Sequence, residues 1–238
     1  MRLAMPEISS RIRVDSGTRR SPMFTPNLQT LPPAQRRLWL ELGQVPAEFV
    51  LYGGTGLALH LGHRISVDFD FFAAREFNPF ELYGSVPFLV DAQGLQQERN
   101  TLTCSIERGE PVKVSFFGLP KLRCIEMPHV VSDTGLKIAS LVDLAGMKAA
   151  VVQQRAEAKD YLDLDALMQH GVALPLALAA AVAIYGTAFN PQITLKALSY
   201  FGDGDLQTIP EDVRRRIVRA VAAVDLDALP VLSTRDEE

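Results

Sequence analysis

GGTGLALHLGHRISVDFDFF, residues 53–72, sets a pattern of tight turn, helix and strand around which the rest of the chain is arranged. It follows Phe49-Val50-Leu51-Tyr52, a β-type run, and begins with Gly53-Gly54, a pair that frees the backbone to turn sharply. Thr55 to Leu61 has the spacing of a short helix, which Gly62 stops. Ile65 to Phe72 alternates apolar and polar residues, the period of a half-buried strand. Successive strand side chains point to opposite faces, so Asp68 and Asp70 project together while Val67, Phe69 and Phe71 enter the core.

Two carboxylates on one ledge repel each other, and a hard divalent cation with oxygen ligands relieves the repulsion, as Mg²⁺ does when it also binds nucleotide phosphates. Upstream, Gly53, Gly54 and Thr55 put backbone N–H groups at a helix N-terminus, where an anion such as a triphosphate is favoured. The residues from Gly56 to Val67 suffice for about two helical turns and a reversal, which brings the ledge back beside the turn. Arg64 and Ser66 add a cation and a hydroxyl that either contact phosphate or brace the turn. Each feature alone also has a bland account: a solvated polar strand face, or an ordinary strand-to-helix turn.

Outward from this segment, Leu31 to Leu42 reads as a short amphipathic helix carrying Leu38, Trp39 and Leu42 on its apolar face. Thr101 to Glu107 and Val112 to Phe117 read as a hairpin, expected to pair antiparallel beside the Asp-Phe-Asp strand. After Gly135 the periodicity becomes helical: Ser140 to Gln154, Glu157 to Gln169, Pro175 to Ile184, Pro191 to Tyr200 and Glu211 to Val224. Ser140 with Asp143 forms a capping-box-like start. The expected class is α+β, a mixed-sheet core over 31–135 with a C-terminal helical bundle over 136–238 that completes the cleft, preceded by a flexible basic tail over 1–30.

Composition limits the alternatives. The 238 residues are 47% hydrophobic, enough for a core domain plus a helical extension, and the net charge of −4 excludes a globally basic nucleic-acid binder. Cys104 and Cys124 form no CxxC pair and His60, His63, His129 and His170 have no zinc-ligand spacing. The apolar run Val172 to Ile184 is too short for a membrane span and contains Pro175, so it reads as a core helix, and no membrane association is expected. Arg2, Arg11, Arg13, Arg19 and Arg20 lie in a stretch without an apolar signal-peptide region, which points to a cytoplasmic protein.

A second charged constellation lies in the helical half. Lys148, Val152 and Arg155 fall at i, i+4 and i+7, one stripe if the helix is continuous, so both cations face one cleft. Lys159, Asp160 and Asp163 cluster at the start of the next helix, where a solvated ladder of ion pairs is the bland reading. Tyr161 between the acids either stacks on a nucleobase or packs into the bundle, and Arg214, Arg215, Arg216 and Arg219 form a solvated face or an RNA contact.

GGTGLALHLGHRISVDFDFF resembles the first motif of the polymerase-β-like nucleotidyltransferase superfamily, in the form found in AbiEii/AbiGii-type toxins, which are similar to the MenT toxins: a Gly-Gly/Ser turn, a helix, then Arg-x-Ser-x-Asp-x-Asp-x-Phe. DLAGMKAAVVQQRAEAKDYLDLDAL, residues 143–167, resembles the later Lys…Arg…Lys-Asp…Asp signature. The resemblance implies that Asp68 and Asp70 hold Mg²⁺ or Mn²⁺ and that Lys148 binds the triphosphate of an NTP. It also implies that Asp160 completes the site as the late acid, with Arg155 and Lys159 supporting phosphate or acceptor. Many superfamily members carry a third carboxylate on the strand matching Val112 to Phe117; here the position is Ser115, which cannot act as a base. Either Asp160 or Asp163 then supplies the missing carboxylate, or the protein binds nucleotide without turnover. The resemblance further implies a toxin of a toxin–antitoxin or abortive-infection system, with a DNA-binding antitoxin as partner and tRNA or another RNA, or a protein, as acceptor.

Overall fold

The computed structural model describes residues 21–235. Among the described residues, eight strands form one mixed sheet: β1 (Met23–Phe24), β2 (Val50–Tyr52), β3 (Phe69–Ala73), β4 (Gln93–Glu98), β5 (Thr101–Glu107), β6 (Pro111–Gly118), β7 (His129–Val131) and β8 (Lys137–Ile138), in the order β1-β7-β8-β2-β3-β6-β5-β4. α1 (Pro33–Trp39) and α3 (Pro79–Ser85) pack with the sheet's apolar face. α2 (Gly53–Leu61) joins the helical half, which consists of α4 (Leu141–Val151), α5 (Ala158–Gln169), α6 (Leu174–Tyr185), α7 (Pro191–Leu198) and α8 (Glu211–Ala222). The class is α+β, as expected.

Two apolar clusters correspond to the two halves. Phe69 and Phe71 of β3 enter the first together with Trp39, Phe49, Leu51 and Phe116; the second is built on Leu57, Tyr161, Leu164, Leu178 and Ile217. Burying aromatic and branched side chains of this size stabilises each half by roughly 1.5–3 kcal/mol per residue. α6 is buried along Leu174 and Ala177 to Ala181, which makes the apolar run a core helix. Among the described residues no single helix is long and apolar enough to cross a membrane.

Several elements differ from the sequence expectation. The strand expected over Ile65 to Phe72 begins only at Phe69; Ile65 to Asp68 form an irregular approach, and Val67 is 48% exposed rather than in the core. Gln35 donates to the Val67 carbonyl from its side-chain nitrogen, which gives that backbone a partner outside the sheet. The hairpin of β5 and β6 is antiparallel internally, yet β6 meets β3 in parallel. The helix expected to reach Gln154 ends at Val151. The expected boundary near Gly135 is crossed by β8, which pairs with β2 and β7, and the proposed tail over 1–30 includes β1, paired with β7. The five tail arginines lie outside the described residues.

Candidate active site

Tyr52 ends β2 and Gly53 turns the chain at φ 71°, a left-handed value that favours glycine, into α2. A Cβ on Gly53 would stand 3.2 Å from Asp70 Oδ2, so the turn lies directly against the second acid of the ledge. Gly54 answers a closer approach: a Cβ there would lie 2.4 Å from Arg64 Nη2. The helix N-terminus, Arg64 and Asp70 therefore converge, and the charge of Asp68 acts on Asp70. Burial, followed by the charge of Asp68, pushes the Asp70 carboxyl above its ordinary range, against Lys113, a hydrogen bond from Ser115 and the charge of Lys148.

Thr55 and Ser66 brace the turn instead of facing a ligand. The Thr55 hydroxyl, buried, lies 2.8 Å from Ser66 Oγ and also hydrogen-bonds the carbonyl of Asp68, tying the start of α2 to the ledge. Arg64 is likewise committed, as a two-pronged donor to Asp163 (Nε to Oδ1 2.6 Å, Nη2 to Oδ2 2.8 Å). For Arg64 and Ser66 these contacts match the bracing alternative of the sequence reading.

Behind the turn sits an ion cluster. Lys148 Nζ lies 2.6 Å from Asp160 Oδ1 and 2.7 Å from Asp163 Oδ2, and both carboxylates are fully buried. Arg155 reaches Asp160 with Nε at 2.8 Å and Nη2 at 3.1 Å, although it lies in the loop after α4 and not on a continuous helical stripe with Lys148. His63 Nε2 lies 2.7 Å from Asp163 Oδ1, while its buried Nδ1 finds no hydrogen-bond partner among the described residues. Burial raises the Asp160 and Asp163 carboxyls, but Arg155 and Lys148 around Asp160, and His63, Arg64 and Lys148 around Asp163, outweigh it and hold both below the ordinary range.

Asp160 is fully buried between two cations that hold its carboxyl below the ordinary range, and together with Asp163 it anchors Lys148, Arg155 and Arg64. Lys159 pairs with Glu157 at 2.6 Å on the exposed side and does not join the cluster. Among the described residues Lys148 pairs only with Asp160 and Asp163, which leaves one of its three N–H donors over, and Arg155 also pairs with Glu157 at 3.5 Å.

Tyr161 is buried, its hydroxyl donating to the Ala197 carbonyl, so it packs instead of stacking on a base. His60 stacks on Phe24 at 4.5 Å with Nε2 2.9 Å from the Ala139 carbonyl. Arg214 hydrogen-bonds Ile209 and neighbouring carbonyls, and Arg216 pairs with Asp165 and Asp212, so part of the arginine run is structural. Ser115 stands level with Asp70 across the β3–β6 register, at the position read from sequence. The sequence reading passed over Lys113, two residues earlier on the same strand face; its parity with Ser115 was the available signal.

The fold and the ledge beside its glycine turn put this protein among the nucleotidyltransferases. The model of the nucleotidyl transferase AbiEii toxin family, type IV toxin–antitoxin system, matches residues 37–231, and the chain belongs to that family. An uncharacterized protein of Aquifex aeolicus (strain VF5) is 35% identical over 169 residues, covering 70% of this chain and 79% of that protein. Among solved structures, MenT4, a nucleotidyltransferase toxin from Mycobacterium tuberculosis H37Rv, aligns with TM-score 0.55 at 17% identity over 82% of this chain and 83% of its own. An antigenic nucleotidyltransferase-like protein from Paracoccidioides brasiliensis aligns with TM-score 0.48 at 16% identity over 86% and 99% of the two chains.

Proposed function

We propose that the protein transfers a nucleoside monophosphate from an NTP to an acceptor hydroxyl in a Mg²⁺-dependent reaction, with Asp68 and Asp70 as the metal ligands. The convergence of that acid pair with the Gly53–Gly54 turn is the observation that carries the reading. The donor set suits the ion. Asp68 and Asp70 offer carboxylate oxygens, the hard donors Mg²⁺ takes from protein in nucleotide sites, and the charge of Asp68 already acts on Asp70. Held by Asp68 and Asp70, Mg²⁺ would supply positive charge that offsets the negative charge growing in the transition state.

The chain's own groups do the positioning. Backbone N–H groups of Gly53, Gly54 and Thr55 hold the polyphosphate at the start of α2, and the remaining Lys148 donor adds charge from behind. Arg155, partly exposed while anchored on Asp160, supports the same anion. Ser115 orients Asp70 by hydrogen bonding and takes no proton. The biological reading is a cytoplasmic toxin neutralised by a cognate, DNA-binding antitoxin, with RNA as acceptor; family membership supports it.

The test is transfer of label from α-labelled NTPs to total RNA or total protein, with and without Mg²⁺. Wild type is expected to label one fraction, and the Asp68→Asn plus Asp70→Asn variant neither; undiminished labelling by that variant removes the acids from the mechanism. The burial of Asp160 and Asp163, together with Ser115, favours one second reading, a nucleotide-binding module without turnover. Mg²⁺-dependent NTP binding with no pyrophosphate released across many acceptors would establish that module.

A further inference from the structure

β6 flanks β3 on the side away from β2, and its register is fixed: Phe69 is level with Val114 and Asp70 with Ser115. Alternation puts Lys113 and Ser115 on the face of the sheet that carries Asp70, while Val112, Val114 and Phe116 enter the core. β5 extends that face, with Ser105 level with Lys113 and Thr103 level with Ser115. The side chains level with the ledge on these two strands are thus one ammonium and three hydroxyls, with no carboxylate. Lys113 is exposed and makes no ion pair within 4.0 Å among the described residues, yet its charge acts on Asp70.

The glycine turn fixes the side that the NTP polyphosphate occupies. Gly53 and Gly54 follow β2, which borders β3 on the edge opposite β6. In-line displacement needs the leaving pyrophosphate and the attacking hydroxyl on opposite sides of the α-phosphate. Pyrophosphate leaving toward α2 therefore leaves the β6 side to the acceptor, and Lys113 is the charged group standing there.

We propose that Lys113 is the acceptor-recognition residue of this reaction, its ammonium holding a phosphate that flanks the acceptor hydroxyl. This rests on the reading of Asp68 and Asp70 as the metal ledge. The cation replaces no base: it draws a phosphate-bearing acceptor to the β6 side of Asp70.

The probe is a fluorescent single-stranded RNA oligonucleotide with a 3′-hydroxyl, titrated with the full-length protein in Mg²⁺ and a non-hydrolysable NTP analogue whose own affinity is measured in parallel. Lys113→Gln is expected to weaken oligonucleotide binding by roughly three- to tenfold and to lower the slope of log K against log salt by about 0.7, the value for one lost phosphate contact on a single strand. Analogue affinity should not change, Lys113→Arg should restore most of the binding, and a neutral methylphosphonate at the terminal linkage should make wild type behave like Lys113→Gln. Equal binding by wild type and Lys113→Gln, including no binding by either, overturns the proposal. So does an equal loss of analogue affinity, which would put Lys113 on the nucleotide, and so does Lys113-independent labelling of protein. Asp70→Asn in the same titration separates the premise: if it leaves Mg²⁺-dependent analogue binding intact, the ledge reading has failed irrespective of Lys113.

Discussion

Asp163→Asn removes one charge from the middle of the ion cluster and nearly nothing from its volume. The wild-type carboxylate, fully buried, accepts two hydrogen bonds from Arg64 at 2.6 and 2.8 Å, ion-pairs with Lys148 at 2.7 Å, and contacts His63 Nε2 at 2.7 Å. An amide keeps one acceptor oxygen and presents an NH₂ to groups that are already donors. Breaking a buried ion pair by removing one partner costs about 3–5 kcal/mol, and both cations are shielded here, with Arg64 19% and Lys148 7% exposed. For a chain of this size the melting temperature should fall by about 10 °C. Chemical denaturation should show a lower midpoint with an unchanged slope, and a double-mutant cycle with Lys148→Met should recover part of the loss because the orphaned ammonium is gone.

The same carboxyl makes a pH prediction. Its folded value lies below the ordinary 3.8, so the unfolded chain binds more protons at acidic pH, and the stabilisation is present above 3.8 and lost as pH falls below it. Asp163→Asn should flatten this acid limb. Destabilisation of less than about 1 kcal/mol with the limb intact would refute the idea that Asp163 anchors the cluster.

Three further outcomes are expected. Gly54→Ala puts a methyl group 2.4 Å from Arg64 Nη2, so the Arg64 guanidinium must shift and crowd the turn; NTP affinity should fall at least tenfold in calorimetry, and unchanged affinity would remove the turn from the phosphate site. His60, held neutral by burial despite the Ala139 carbonyl, has its pKa lowered from 6.5 to about 4, so the unfolded chain takes up a proton first and stability falls as pH drops from 6.5 toward 4, by about 3 kcal/mol. Denaturation midpoints across that window should slope for wild type and flatten for His60→Phe. Asp70→Asn relieves the repulsion from Asp68, so the metal-free variant should melt above wild type and lose the Mg²⁺-dependent shift; a variant that still gains stability from Mg²⁺ contradicts the ligand assignment.

The sequence carried the parts of this fold that depend on local chemistry. Gly53-Gly54, the apolar stop at Gly62, the alternation through Phe69 and Phe71 and the Ser140 cap each act over a few residues, and Ser140 does accept from the Asp143 amide at 3.1 Å. Elements held only by tertiary pairing were not legible. β4 is QGLQQE, polar and exposed along its length, and is a strand because β5 templates it; β1, β7 and β8 are two or three residues long and exist through one another's hydrogen bonds. Lys148 and Arg155 do converge, but on Asp160 and across the end of a helix rather than along a helical stripe, because the helix stops where the chain must turn into α5. The role of Asp163 was hidden for a related reason: its partners Arg64 and His63 lie 99 and 100 residues away, and ion pairs at that separation leave no periodic trace. Lys113 was missed because attention to the absent carboxylate at Ser115 stopped one alternation short.

Calorimetric titration of a non-hydrolysable NTP analogue into the wild-type protein, first with Mg²⁺ and then with EDTA, addresses the ledge and the turn at once. Saturable one-to-one binding that disappears with EDTA and with Asp70→Asn is the predicted result. Binding of equal strength under all three conditions, or none under any, would contradict the claim that an acid pair and an amide-lined turn jointly hold a metal-bound nucleotide.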